Sequence, residues 1–468
     1  VRLGRRVAAR AVHHAGRCTW IAPIARHGSA ARRRAEALPA DLYAGAAGVA
    51  LFLAELHAVT HDRAAKTVAL GAMHHALDAV REPGSRSRGL FAGPLGVALA
   101  GARTGWLLEE PALIERAAAA ARRHRRPPAD SRGLDLMGGA AGDVVALLAL
   151  SAMLGDRTLA EAAVEVGDAL ASRASSALRR DRRGLGSPLH TRASPAPPVG
   201  ANGGGPAPGG GFAHGAAGVG CALLELFAWT RNARHAAVAA RIFDAGRRWL
   251  EVPPRDGASL RRNATTRPPT DPQVAAGWCR GTAGVGLSRL RVRELDGSRA
   301  AGAEAVIALR RTVAALRANV GVGRGDFSLC HGLTGLAAAL LEGVRVLGVS
   351  RPAVRAVNGL VDAALALERR GEPWPCAAEA EHPGLMNGLA GIGWFHLRLG
   401  RPGIPSMLLV RPEVWGPGRA AGLGPPSAGR AVPSAAGQAR IGERQGSPVL
   451  HPAGRRPARS TLTPAPPA

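Results

Sequence analysis

Only one lysine, Lys66, and one tyrosine, Tyr43, occur in 468 residues. The other basic side chains are arginine, and with the abundant Ala, Gly and Pro they give the composition of a GC-rich coding sequence. A formal net charge of +27 is then a poor indicator of a nucleic-acid partner, which would also need a recognisable binding module. A cationic surface still suits an acidic peptide segment. No apolar run reaches the roughly 20 residues of a membrane span. The five cysteines, Cys18, Cys221, Cys279, Cys330 and Cys376, are scattered and odd in number. That argues against a disulfide framework and for a reducing, cytoplasmic setting. Val1 to Gly16 is Arg-rich without an apolar core, so no secretory signal is read there.

What the chain does have is a repeated Gly-x-x-Gly step. Its first glycines are Gly45, Gly93, Gly139, Gly215, Gly281, Gly332 and Gly388, each with a partner three places on. Seven copies spaced by roughly 46 to 76 residues indicate a repeat architecture. An apolar run follows most steps, as in Val49 to Leu56 and Val219 to Leu226. These runs favour Ala and Leu over β-branched residues and do not alternate, so they read as buried helices. Amphipathic, Arg-bearing stretches such as Asp62 to Val80 and Ala353 to Arg370 lie between them and read as outer helices. The expected fold is all-α: an α/α toroid of seven inner and about seven outer helices. Residues 1–40 form a lead-in with a candidate outer helix at Arg2 to Ala15, and residues 41–411 form the ring. A Gly/Pro-rich loop at 187–210 interrupts it. Ile404 to Val410 reads as a short closing strand. Residues 412–468, rich in Pro, Gly and Arg, read as a disordered tail.

In a closed ring, equivalent positions converge on one mouth. The residues just before the first glycines are Ala44, Ala92, Gly138, His214, Arg280, His331 and Asn387. One place further back lie Tyr43, Phe91, Met137, Ala213, Cys279, Cys330 and Met386. Copies five and six are neighbours, so Cys279 approaches Cys330 and His331. Two thiols and an imidazole are a ligand set that leaves a fourth position open on a catalytic zinc. His214 comes from the copy before. Read alone, Cys279 is as readily a small buried hydrophobe, and His331 a satisfied core histidine. Asp135 either caps the third inner helix or acts with His214. Arg280 either meets a peptide carboxylate or is solvated.

These motifs carry a resemblance. Gly-Trp-Cys-Arg-Gly at Gly277, Cys-His-Gly at Cys330, Gly-Phe-Ala-His-Gly at Gly211 and Pro-Gly-Leu-Met-Asn-Gly-Leu-Ala-Gly-Ile-Gly at Pro383 resemble the lanthionine synthetase C-like family, the lantibiotic cyclases. The opening Asp-Leu-Tyr-Ala-Gly-Ala-Ala-Gly-Val-Ala-Leu-Phe-Leu at Asp41 is most similar to the C-terminal cyclase half of class II bifunctional lanthipeptide synthetases. The dehydratase half of that class has no counterpart here, which leaves a free-standing cyclase, a fragment or one product of a split gene. The resemblance implies zinc bound by Cys279, Cys330 and His331, with His214 and Asp135 as active-site residues. Two places depart from the family pattern. Arg280 stands where an aromatic residue or histidine often follows the ligand cysteine. Val274, Ala275 and Ala276 are apolar where stand-alone cyclases carry a basic residue.

The implied reaction adds a peptide cysteine thiol to dehydroalanine or dehydrobutyrine in a dehydrated precursor peptide, giving a thioether ring. A separate dehydratase is the expected partner of a free-standing cyclase. Neither a nucleic acid nor a membrane span is expected. Two rivals share the site: addition of glutathione or another small thiol to dehydroamino acids, and a zinc-bearing peptide-binding toroid without turnover.

Overall fold

In the computed structural model, residues 1–24, 34–81, 87–126, 133–182, 211–247, 276–321, 325–377 and 381–416 are described. The expected loop at 187–210 and the chain beyond 416 lie outside them. The described residues all fall within one compact unit, Val1–Pro425. Its elements begin with helix α1 (Arg2–Ala8) and two antiparallel hairpins, β1 (Val12–His14) with β2 (Arg17–Thr19) and β3 (Ile21–Ile24) with β4 (Arg34–Ala37). Helical pairs follow: α2 (Ala46–Thr60) with α3 (Arg63–Ala79), then a single turn α4 (Gly89–Ala92) before α5 (Pro94–Leu107) with α6 (Pro111–His124). Next come α7 (Ala140–Leu154) with α8 (Arg157–Arg182), and α9 (Ala216–Thr230) with α10 (Ala233–Gly246). The last are α11 (Thr282–Asp296) with α12 (Arg299–Gly321), α13 (Leu333–Leu347) with α14 (Arg351–Arg370), and α15 (Leu389–Gly400).

The first helix of each pair is an inner one. In α7 every residue from Ala140 to Ser151 is buried, as a helix with neighbours on all sides must be. The outer α3 buries a single stripe instead, Ala65, Val68, Ala69, Ala72, Met73 and Ala76. Asp62 starts it by accepting from Ala65 N at 3.2 Å, a side-chain N-cap. Each inner helix packs on the next, and α15 returns to α2, so the ring is closed. Helix α1 packs on α15 and α3 and takes the place of the seventh outer helix. It is one short helix followed by hairpins rather than a helix to residue 15, because Ala15 and Gly16 turn left-handed at φ 46° and 73°.

A circuit of backbone hydrogen bonds joins the seven copies at the mouth. Tyr43 N donates to Phe91 O (3.1 Å), Phe91 N to Met137 O (3.3 Å), Met137 N to Ala213 O (3.1 Å) and Ala213 N to Cys279 O (3.1 Å). Cys279 N donates to Cys330 O (3.4 Å), Cys330 N to Met386 O (2.9 Å) and Met386 N back to Tyr43 O (2.8 Å). This is the column of residues two places before each first glycine. The buried backbone of seven separate loops is thereby satisfied, and the loops are held in fixed mutual register.

The second glycine of each step is explained by the same loops. A Cβ at Gly48, Gly96, Gly142, Gly218, Gly284, Gly335 or Gly391 would overlap the carbonyl oxygen of Leu42, Leu90, Leu136, Phe212, Trp278, Leu329 or Leu385 respectively. In every copy the residue six places earlier lies across the helix at this point, and only hydrogen fits. Gly335→Ala is therefore expected to cost at least about 1–3 kcal/mol, the usual penalty for overpacking. A lower urea midpoint measures it. A midpoint equal to wild type would show that the loop gives way freely.

Ile404–Val410 is not a strand. It is buried at Ile404, Met407, Leu408, Leu409 and Val410 but finds no partner strand among the described residues. Inner-helix and mouth side chains satisfy its carbonyls instead. Trp394 Nε1 donates to Pro405 O (3.1 Å), Trp278 Nε1 to Leu408 O (2.8 Å) and Arg398 Nε to Ile404 O (3.0 Å). The order continues past the expected start of the tail: Pro412–Val414 forms a 3₁₀ turn and Trp415 is fully buried, with Trp415 O accepting from Arg103 at 2.9 Å. No helix among the described residues is long and apolar enough to cross a membrane.

Candidate metal centre

The mouth circuit places Cys279 and Cys330 side by side through one peptide hydrogen bond, and His331 follows in sequence. Their ligand atoms, two Sγ and one imidazole nitrogen, all lie within 4.8 Å of one another. A tetrahedral zinc with Zn–S near 2.3 Å and Zn–N near 2.0 Å needs edges of about 3.5–3.8 Å. The donors therefore fit with at most about 1 Å of closing. Both cysteines are buried, at 6% and 2% exposure, and neither is in a disulfide. The hydrogen bond from Cys330, assisted by His331 and His214 and opposed by burial, holds the Cys279 thiol well below its usual range. The same hydrogen bond, with burial, pushes Cys330 well above it. Two sulfurs this close share one proton, which is the state a divalent cation would displace.

His214 stands in the next copy. Its Nδ1 lies 3.1 Å from Asp135 Oδ2, and both side chains keep some exposure, 29% and 16%. Asp135 does two things at once. Its Oδ1 accepts from Gly138 N at 2.9 Å, closing the turn before α7. Asp41 does the equivalent in the first copy, taking Ala44 N (2.8 Å) and Gly45 N (3.0 Å) on Oδ1. The structural use of an aspartate at this repeat position thus needs only one oxygen, and the contact with His214 is additional. Arg280 is half-buried, and no hydrogen bond or ion pair printed among the described residues ties it down.

Two groups at this site were not singled out by sequence reasoning. Asp326 stands beside His331, with Oδ2 3.6 Å from Nε2, while its Oδ1 accepts from Ser328 N at 2.6 Å. An acid five places before the Cys-His pair was the available signal. The phenol of Tyr43 hydrogen-bonds with the Cys330 sulfur. Its place in the circuit column was visible, but one phenol among apolar residues gave no ligand pattern.

A closed α/α ring with a buried Cys₂His set at its mouth defines a helical toroid with a candidate metal centre. The chain belongs to the lanthionine synthetase C-like protein family, which it matches over residues 36–409. Among solved structures it is similar to nisin cyclase, with 17% identity and a TM-score of 0.54, over 77% of this chain and 89% of that one. That likeness is one of fold. A glucuronyl-hydrolase structure overlaps less well, at 15% identity and a TM-score of 0.41, over 78% of this chain and 98% of that one. No curated protein sequence matches significantly.

Proposed function

We propose that the protein is a zinc-dependent lanthipeptide cyclase, adding peptide cysteine thiols to dehydroalanine or dehydrobutyrine. The observation that carries this reading is the convergence of Cys279, Cys330 and His331 within 4.8 Å at the mouth of a ring of this family. The Asp41–Leu53 pattern supports a cyclase domain of the class II type. Zinc held by these three side chains would supply a Lewis acid with one open position, at which a peptide thiol binds as thiolate.

The chain's own residues then handle charge and protons. Two thiolates and a neutral imidazole cancel the charge of a dication, so the centre stays electron-rich toward a third sulfur. Addition forms a C–S bond at the β-carbon and leaves the α-carbon needing a proton. Nδ1 of His214 is engaged by Asp135, so Nε2 is the nitrogen that holds the proton to be delivered there. The carboxylate steadies the imidazolium as it forms. Asp135 is fixed by the Gly138 N–H, which keeps the imidazole on one heading.

The thiol proton is replaced at the α-carbon, so the product has the mass of the substrate. The test is to incubate the zinc-loaded protein with a dehydrated cysteine peptide and then alkylate. Cyclised peptide refuses the alkylating reagent at unchanged mass. Peptide that stays alkylatable, or that gains the mass of added glutathione in preference, overturns the reading. His214→Ala is expected to slow ring formation by about 10²–10⁴-fold while zinc content stays at wild-type level. Cyclisation at the wild-type rate would remove His214 from the proton transfer.

A further inference from the structure

The mouth circuit holds one more polar side chain, and it belongs to the chain's single tyrosine. Among the seven circuit residues, Phe91, Met137, Ala213 and Met386 offer no hydroxyl, and the two cysteines are the sulfur ligands. Tyr43 alone carries an O–H. Its backbone is fixed on both sides, N on Phe91 O at 3.1 Å and O under Met386 N at 2.8 Å. Met386 in turn accepts from Cys330 N at 2.9 Å. One residue therefore separates Tyr43 from Cys330 around the ring, and the phenol spans that gap to the sulfur. The Phe91 ring stands edge-on to it, centroids 6.5 Å apart and planes at 86°, which limits where the phenol can swing. Asp326 and Cys279 are the other charged or ionisable groups close to it.

We propose that Tyr43 is a positioning residue of the metal centre, its O–H donating to Sγ of Cys330 so that the sulfur is aimed at the metal and part of its charge is drawn off. The inference rests on the zinc reading above. Its physical basis is the charge count. Two thiolates neutralise a dication, and a third sulfur from a substrate leaves a net negative charge in an interior with little water. Buried charge is tolerated where hydrogen bonds meet it. A phenol is protonated at neutral pH and can donate, and a thiolate that accepts gives less charge to its metal. Partners in this outer layer typically set metal affinity by 10–100-fold.

The test uses the full chain with zinc, and with Co(II) in its place as a spectroscopic probe. Tyr43→Phe keeps the ring and its edge contact with Phe91. It is expected to melt as wild type does, to bind zinc about tenfold more weakly in competition with a chelator, and to move the sulfur-to-cobalt charge-transfer band to lower energy. Phe91→Leu loosens the packing but keeps the hydroxyl, and is expected to leave that band in place. Wild-type zinc affinity and an unmoved band in Tyr43→Phe would overturn the proposal while the metal site stands. An equal band shift in Phe91→Leu would overturn it too, by reducing the effect to packing. A wild-type protein that takes up neither metal would sink this inference together with the zinc reading.

Discussion

Cys330→Ala is expected to leave the ring closed and the metal gone. The backbone of Cys330 closes two links of the mouth circuit, its N–H on Met386 O and its C=O under Cys279 N, and alanine keeps both groups. Only the sulfur is lost. With it go one of three donors within 4.8 Å and the hydrogen bond that depresses the Cys279 thiol. The remaining Cys279 and His331 make a two-donor site. Loss of an outer-layer partner already costs roughly 10–100-fold, so loss of a ligand must exceed about a hundredfold in zinc affinity and in ring formation. Cys279→Ala should behave alike, because the circuit uses its peptide and not its thiol. Metal analysis of the purified variants, beside a melting curve, is the direct check. Wild type is expected to carry about one zinc per chain. Wild-type zinc in either alanine variant would mean that these residues are not its ligands.

The ring and its metal set were legible because they repeat. A Gly-x-x-Gly step recurring seven times fixes which residues are equivalent, and equivalence in a closed ring fixes which residues meet. Cys279, Cys330 and His331 were found that way, from residues 51 apart in sequence. What does not repeat was not legible. Ile404–Val410 has a strand's composition, but it lies inside a helical ring where no second strand is on offer among the described residues, so it remains irregular. Trp415 and Arg411 look like part of a Pro/Gly/Arg-rich tail until their partners, Arg103, Glu294 and Glu342, are known. Asp135 gave equal support to a turn cap and to a catalytic partner because it is both, one oxygen for each. Buried arginines within the inner helices, Arg289 and Arg291 of α11, run against the apolar reading of those helices, and only tertiary pairing explains them.

That pairing makes the second large prediction. Glu342, at 1% exposure, receives Arg398 Nη2 at 2.6 Å, Arg411 Nη2 at 2.8 Å and Arg345 Nε at 3.0 Å. Burial alone would raise its pKa, but Arg411, Arg398 and Arg345 outweigh it and take the carboxyl down to about 2. Glu342→Gln keeps the shape and removes the charge. Arg345 and Arg411 retain Glu294, while Arg398 keeps only the Ile404 carbonyl. Stranding a buried charge in this way costs about 3–5 kcal/mol, to be read as a lower urea midpoint at pH 7. The pH dependence follows from the sign of the shift. A carboxyl whose folded pKa lies below its unfolded value of about 4.3 stabilises the fold fully above that value and loses the contribution as pH falls toward about 2. The gap between wild type and Glu342→Gln should therefore narrow between about pH 4.3 and pH 2. Zinc content should not change, because Glu342 lies nine residues beyond Leu333, the first residue of α13, a rise of about 13 Å from the mouth. A variant as stable as wild type at pH 7 would show that Glu294 and the closing segment hold this end of the ring without Glu342. A variant that also loses its zinc would show instead that the two ends of the inner helices are coupled.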